Sequence, residues 1–397
     1  MSVYLDYQAA KPVDPRVLSA MRPYYNKIFA NPASLHFDGD DATNALQESR
    51  QKIADFINAP SPDSIIFTSS ATEASNLGLI GAALNRERKG NHIIISEIEH
   101  ISILNLGKYL ERQGFEVSRV GVDKFGVINI EKLKRLIREN TILISIASAS
   151  NEVGSLQPIA EISEIAQEKD ILFHTDAVAI ENVIPIDVQN VPVDLMTLSS
   201  NDIYGPRGVS ALYLKKGVRV NPIIIGGGQE RGMRSGSENI PGIVGFGKAA
   251  EIMKQEINQE ADFLKHFRDK LISGILSSIP KSYLNGHPEK RLPSNAHFRF
   301  EYIEGESLIL SLRDQNISAA TGSACSSKTL EPSHTLIAMG LLHEEAHGSL
   351  LISMGRYTKE TDVDKVIEVL PDVVKRLRIL SPLTPPDLLK QYNEVKE

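Results

Sequence analysis

Residues 141–176, TILISIASASNEVGSLQPIAEISEIAQEKDILFHTD, decide how this chain is put together. Residues 141–147 form a short β-branched, apolar run, 159–169 place apolar residues at helical spacing with charges opposite, and 171–175 form a second apolar run. Strand, helix and strand in such a short stretch make a parallel crossover, because parallel neighbours need a connection long enough to return over the sheet. The alternation continues outward. Strands are expected at 64–68, 92–96, 116–120, 194–198 and 209–214, and helices at 48–57, 73–84, 101–113 and 130–139. These elements predict an α/β fold with a mostly parallel seven-stranded sheet covered by helices on both faces. A long helical stretch over 241–279 leads out of it. A strand near 296–300 and helices near 306–315 and 362–377 then predict a smaller α+β domain. The expected division is a large domain over 12–258 and a small one built from 1–11 with 259–397. The tail after Pro382 is expected to be loosely attached.

With 397 residues, the chain is too long for one ordinary core. A net charge of -7 and the absence of a basic stripe argue against nucleic acid as a partner. The apolar runs fall short of the roughly 18 residues that a spanning helix requires, so no membrane segment is expected. The first twelve residues contain Asp6 and lack a basic stretch followed by an apolar one, so an export signal is not expected and a cytoplasmic location is. Cys325 is the single cysteine, which rules out an intrachain disulfide and suits a reducing compartment.

Several segments carry residues suited to chemistry. Thr68-Ser-Ser-Ala-Thr-Glu-Ala-Ser-Asn76 runs from a strand into a helix and points N–H groups and hydroxyls at one place, as an anion site does; taken alone, an ordinary helix cap is the commoner explanation. Phe173-His-Thr-Asp176 puts a carboxylate at the carboxyl end of a central strand, where open α/β sheets bind ligands and where it can keep a pyridine nitrogen protonated; a helix N-cap is the alternative. Glycines crowd Gly226-Gly-Gly-Gln-Glu-Arg-Gly-Met-Arg-Ser-Gly-Ser-Glu-Asn239 beyond the needs of a plain turn. Thr321-Gly-Ser-Ala-Cys-Ser-Ser327 sets the one thiol among small polar residues, which predicts exposure, although free cysteines are commonly buried fillers.

Taken in order, these segments resemble the NifS/IscS-type cysteine desulfurases of the class V aminotransferase group, over essentially the whole chain. The resemblance rests on Tyr4-Leu-Asp-Tyr7, Asn31-Pro-Ala-Ser-Leu-His36, Ala71-Thr-Glu73, Glu99-His100, Asn151-Glu-Val-Gly154, His174-Thr-Asp176, Tyr204-Gly-Pro206, the glycine-rich run, Gly322-Ser-Ala-Cys325 and Gly355-Arg356. It implies a fold-type I, pyridoxal-phosphate-dependent homodimer. Ala71, Thr72 and Ser199 would hold the cofactor phosphate, with Ser237 reaching in from the other subunit. His100 would stack on the ring, Asp176 would pair with its nitrogen, and Asn151 would lie near the ring hydroxyl and the substrate. Arg356 would grip the carboxylate of L-cysteine, with Asn31 and His36 near the substrate mouth. Cys325 would take sulfur as a persulfide and pass it to an IscU-type scaffold protein, or serve as a ligand to a shared [2Fe-2S] cluster.

One position departs from the family in a way that decides the chemistry. Where the family keeps a His-Lys pair, this chain has Asn201-Asp202, and a carboxylate cannot form an imine with the cofactor aldehyde. Ala179 replaces a glutamine and Ser70 a glycine of the phosphate turn. The expectation is a desulfurase-like partner in iron–sulfur cluster assembly that holds pyridoxal phosphate noncovalently, with Asp202 adding negative charge beside Asp176. The rivals are an active desulfurase with an unorthodox base and a binding protein with a vestigial pocket.

Overall fold

The computed structural model of the chain describes residues 2–322 and 332–394. Cys325 and the metal-ligand role expected of it lie outside the described residues. The strands are β1 Val3–Tyr4, β2 Ile65–Thr68, β3 His92–Ser96, β4 Glu116–Val120, β5 Thr141–Ser145, β6 Leu172–Asp176, β7 Leu195–Ser199, β8 Ser210–Leu214, β9 Ser282–Asn285, β10 Asn295–Phe300, β11 Ile317–Ser318 and β12 Ser349–Ser353. Seven of them form one sheet in the order β2-β8-β7-β6-β5-β3-β4. The run from β7 to β4 is parallel throughout, while β8 is antiparallel to both β7 and β2. β2, β3, β5, β7 and β8 are buried along their whole length, the pattern of strands covered on both faces. A smaller antiparallel sheet, β12-β10-β9, and the parallel pair β1-β11 complete the strand inventory among the described residues.

The long helix runs from Ile240 to Ser278, 39 residues, close to the stretch read from the sequence. Its first half packs Ile243, Phe246, Met253 and Ile257 into the core of the large sheet. Its second half packs Leu264, Leu271 and Ile275 into the core of the small sheet. The 258/259 boundary thus falls inside one continuous helix that serves both cores. The N-terminal strand β1 pairs with β11, tying the first residues to the later part of the chain.

Two local expectations change. The helix expected from residue 48 is Phe37–Phe56, twenty residues long. Its first half, rich in aspartate, carries little apolar periodicity, but Ala42, Ala45 and Leu46 are buried, and further along Gly247 of the long helix closes on Ser49, where a Cβ would come within 2.8 Å of backbone. The tail is also not loose. Pro386–Glu394 is a helix, and the fully buried Arg378 donates to Tyr392 Oη at 2.7 Å and to the carbonyls of Pro280 and Lys281. No helix among the described residues is long and apolar enough to cross a membrane.

Candidate functional site

The carboxyl ends of β2, β3, β5, β6 and β7 open onto one cavity of about 220 Å³. Gln8, Ala9, Ala71, Ile98, His100, Ala147, Ala149, Asn151, Asp176, Val178, Ala179, Asn201 and Asp202 line it. Parallel strands bring their following loops to the same edge, so residues far apart in sequence meet here.

The helix Ala71–Arg86 starts at the cavity. Ser70 caps it, its Oγ accepting the Glu73 N–H at 3.1 Å, so the N–H groups of Ala71 and Thr72 remain without an intrahelical acceptor. That pair, at the positive end of the helix dipole, suits a phosphate. Glu73 in turn accepts the Ser69 N–H at 2.9 Å and Arg234 Nε at 2.7 Å, which docks the glycine-rich run against the same helix start. Ser199 is buried at the end of β7, its N–H donating to both oxygens of Glu181 at 2.9 and 3.1 Å, and it stands behind the cavity wall, outside the lining set.

Asp176 ends β6, and its Oδ1 accepts the Val178 N–H at 3.0 Å. Burial pushes its carboxyl up to about 6, helped by the charge of Asp202 and opposed by the Val178 N–H. His100 caps the helix Ile101–Arg112, with Nδ1 accepting the Ser102 N–H, so the ring proton belongs on Nε2. Burial and the neighbouring His334 lower its pKa, which keeps the imidazole neutral and able to stack on an aromatic ring. Behind this wall Glu99 is fully enclosed, and burial raises its carboxyl well above the usual range, with Asp176 adding to the rise. Glu181 is raised in the same way, by burial first and then by Asp202. The site is therefore acid-rich but holds few full negative charges.

Asp202 is where the structure adds what the sequence reading lacked. Its Oδ1 lies 3.2 Å from Nζ of Lys11, and both side chains are buried, at 9 and 5% exposure. The negative charge expected at Asp202 has a partner: an ammonium group answers it across 191 residues of sequence. Lys11 was missed because Ala9-Ala10-Lys11-Pro12 matches no motif. The available signal was reciprocal, a lysine in an apolar N-terminal segment of a chain that lacks one at 202.

Arg356 is turned elsewhere. Its guanidinium contacts Asp14 at 2.8 Å, Glu256 at 3.1 Å and Glu260 at 3.0 Å, and it stacks 4.5 Å above the Tyr204 ring. With three carboxylates around it, it is not part of the cavity lining, and among the described residues no arginine is. Asn31 and Ser237 line a second cavity of about 220 Å³ together with Tyr24, Phe29 and Pro241. His36 caps the helix Phe37–Phe56 and is more than half exposed. Gly322 and Ser333, which flank the segment carrying Cys325, both meet Glu152: a Cβ at 322 would come within 2.1 Å of Glu152 Oε1, and the Ser333 and Thr335 hydroxyls oppose the burial that lifts this carboxyl to about 7.

These residues fit pyridoxal phosphate: a free helix start for the phosphate, a carboxylate at a strand end for the ring nitrogen, and a neutral imidazole for the ring face. The cavity wall offers no lysine at the position after β7.

The model of the class-V aminotransferase family matches residues 3–366. The chain is 55% identical over 380 residues to "Cysteine desulfurase IscS 1" of Archaeoglobus fulgidus, covering 96% of this chain and 99% of that one. It is 49% identical over 384 residues to "Cysteine desulfurase IscS" of Methanosarcina thermophila, covering 97 and 95%. Among solved structures, "NIFS-LIKE PROTEIN" superposes with a TM-score of 0.89 at 36% identity, covering 95% of this chain and all of the other. "SspA in complex with cysteine" superposes with a TM-score of 0.80 at 34% identity over 90% of this chain.

Proposed function

The chain belongs to the class-V aminotransferase family, in its IscS/NifS-type cysteine desulfurase branch, and from that premise we propose that it is a desulfurase-like sulfur-transfer protein of iron–sulfur cluster assembly whose own desulfuration of L-cysteine to L-alanine is weak or lost. The observation that carries this reading is the buried Asp202 on the cavity wall, paired with Lys11.

When bound, pyridoxal phosphate supplies an electron sink for the α-carbon of an amino acid. Ala71 and Thr72 would hold its phosphate at the helix start, with Ser199 behind them. Asp176 would pair with the ring nitrogen, His100 would cover the ring face, and Asn151 would be available to the ring hydroxyl. Ala179 adds no hydrogen bond there. Asp202 has no amine to offer the aldehyde, so the cofactor is held noncovalently. Asn201, where the family keeps a histidine, has a side-chain amide that does not titrate, so general acid–base help, typically worth about 10²–10⁴-fold, is missing there.

A homodimer is supported by exposed apolar residues beside the Asn31 and Ser237 cavity: Tyr25 at 66%, Phe29 at 77%, Leu35 at 104% and Phe37 at 77% exposure. Such a patch exceeds what isolated surface residues present. Ser237 and Asn31 then serve the partner subunit's cavity. Cys325 is the sulfur-bearing group, or the thiolate ligand of a [2Fe-2S] cluster shared with an IscU-type scaffold, soft enough for either role.

Sulfide release from L-cysteine with added pyridoxal phosphate tests the reading. The wild type is expected to lie at least about 10²-fold below the Asp202→Lys variant. Turnover by the wild type equal to that variant overturns it. For the partner role, Cys325→Ala is expected to slow cluster assembly on the scaffold; an unchanged rate removes that part.

A further inference from the structure

Lys11 has no part in the chemistry so far, yet its placement is hard to explain by folding alone. It follows Gln8 and Ala9, two cavity residues, and its Nζ is one contact of 3.2 Å from the carboxylate that forms the wall. A lysine is among the residues least often buried, and this one is 8% exposed. Other buried cations of the chain are spent on structure: Arg378 ties carbonyls and Tyr392, and Arg291 holds the carbonyls of Asn285 and Val153. Lys11 does not line the cavity itself, but its Nζ reaches Asp202, which does.

We propose that Lys11 is a latent aldehyde-reactive amine of this cavity, restrained by its ion pair with Asp202. The inference rests on the reading that the cavity receives pyridoxal phosphate. An ammonium ion has no electron pair with which to attack a carbonyl. To react, Lys11 gives one proton to solvent; its nitrogen then bonds the aldehyde carbon, and the two remaining N–H protons leave with the carbonyl oxygen as water. Asp202 opposes the first step, because the pair it forms favours the charged amine. Without the carboxylate, the same enclosure disfavours that charge and frees the electron pair, as for buried imine-forming lysines in general. Asp202 thus acts as a positioning residue: it takes the place of the usual amine and silences the nearest one.

The test uses the full-length protein equilibrated with pyridoxal phosphate, reduced with borohydride, digested and mapped by mass. The wild type at neutral pH is expected to carry little adduct on Lys11. Asp202→Asn is expected to carry several-fold more adduct on Lys11 and to show visible imine absorbance before reduction. The double variant Asp202→Asn with Lys11→Ala is expected to lose both signals. As the single variant can fail to fold, the wild type is also reduced over an alkaline pH series, where the adduct on Lys11 should rise. Equilibrium dialysis of pyridoxal phosphate separates the two levels of the argument. Binding without an adduct on Lys11 in either experiment overturns this inference and leaves the reading of the cavity intact. Abundant adduct on Lys11 in the neutral wild type overturns the restraint by Asp202. No saturable binding by any form overturns the cavity reading and the inference with it.

Discussion

Among the ion pairs that join distant parts of the chain in the described residues, two buried ones are built differently. Arg50 and Glu230 meet through two contacts of 2.7 and 2.8 Å; Glu230 also accepts the Phe67 N–H at 2.8 Å, and Arg50 also donates to the Ile65 carbonyl and lies 4.8 Å from the Phe67 ring centre. Lys11 and Asp202 meet through one contact of 3.2 Å at the edge of a cavity. The first pair pins the glycine-rich run to β2 and holds Glu230 and Arg231 at positive φ, 48° and 56°, a backbone that such residues adopt only when their surroundings impose it. The second pair imposes nothing comparable. Multiple partners mark a structural pair, and a single contact beside empty space marks one that is kept for the site.

Arg50→Ala should break the contrast most severely. It strands Glu230 in a dry interior, and a loss of about 3–5 kcal/mol is expected in chemical denaturation. A loss below about 1 kcal/mol would make that pair incidental. Lys11→Ala should cost less, about 1–3 kcal/mol, because Asp202 faces a cavity that water or a proton can reach. The double variant Lys11→Ala with Asp202→Ala should regain most of it. Equal losses for Arg50→Ala and Lys11→Ala would erase the distinction.

A third measurement sharpens the cavity side through pH. Asp176 titrates at about 6 when folded, above its ordinary 3.8, so its contribution to stability is fully present below about 4 and is lost as pH rises through 6. The size is on the order of 3 kcal/mol, and Asp176→Asn should flatten this part of the stability profile. Pyridoxal phosphate binding should move the opposite way, weakening below pH 6 as the carboxylate that pairs with the ring nitrogen takes up a proton. Identical stability profiles for variant and wild type between pH 4 and 6 would contradict the buried placement of this carboxyl. The smallest effect concerns a buried cation with neutral partners: Tyr392→Phe removes one hydrogen bond from Arg378 and should lower stability by about 1 kcal/mol.

The parallel sheet was legible because its strands are short apolar runs and its helices repeat their apolar residues at 3.6-residue spacing; β3 and β4 match the expected bounds. The start of Phe37–Phe56 was hidden, since packing against the long helix rather than periodicity stabilises it. In the site, Ala71, His100, Asn151, Asp176 and Asp202 line one cavity. Arg356 does not join them, and nothing local could show this, for its three carboxylates come from the N-terminal segment and the long helix.

What the sequence determined by itself is local and chemical: which runs become strands, which end in polar turns, and that residue 202 is an acid unable to condense with an aldehyde. What only the tertiary structure decided is the company each charge keeps. Lys11 stands 191 positions from Asp202, and Arg356 is 342 from Asp14. Partners of buried charges are chosen by where the chain folds back, because in a low-dielectric interior an ion must find its counterpart wherever the backbone delivers one.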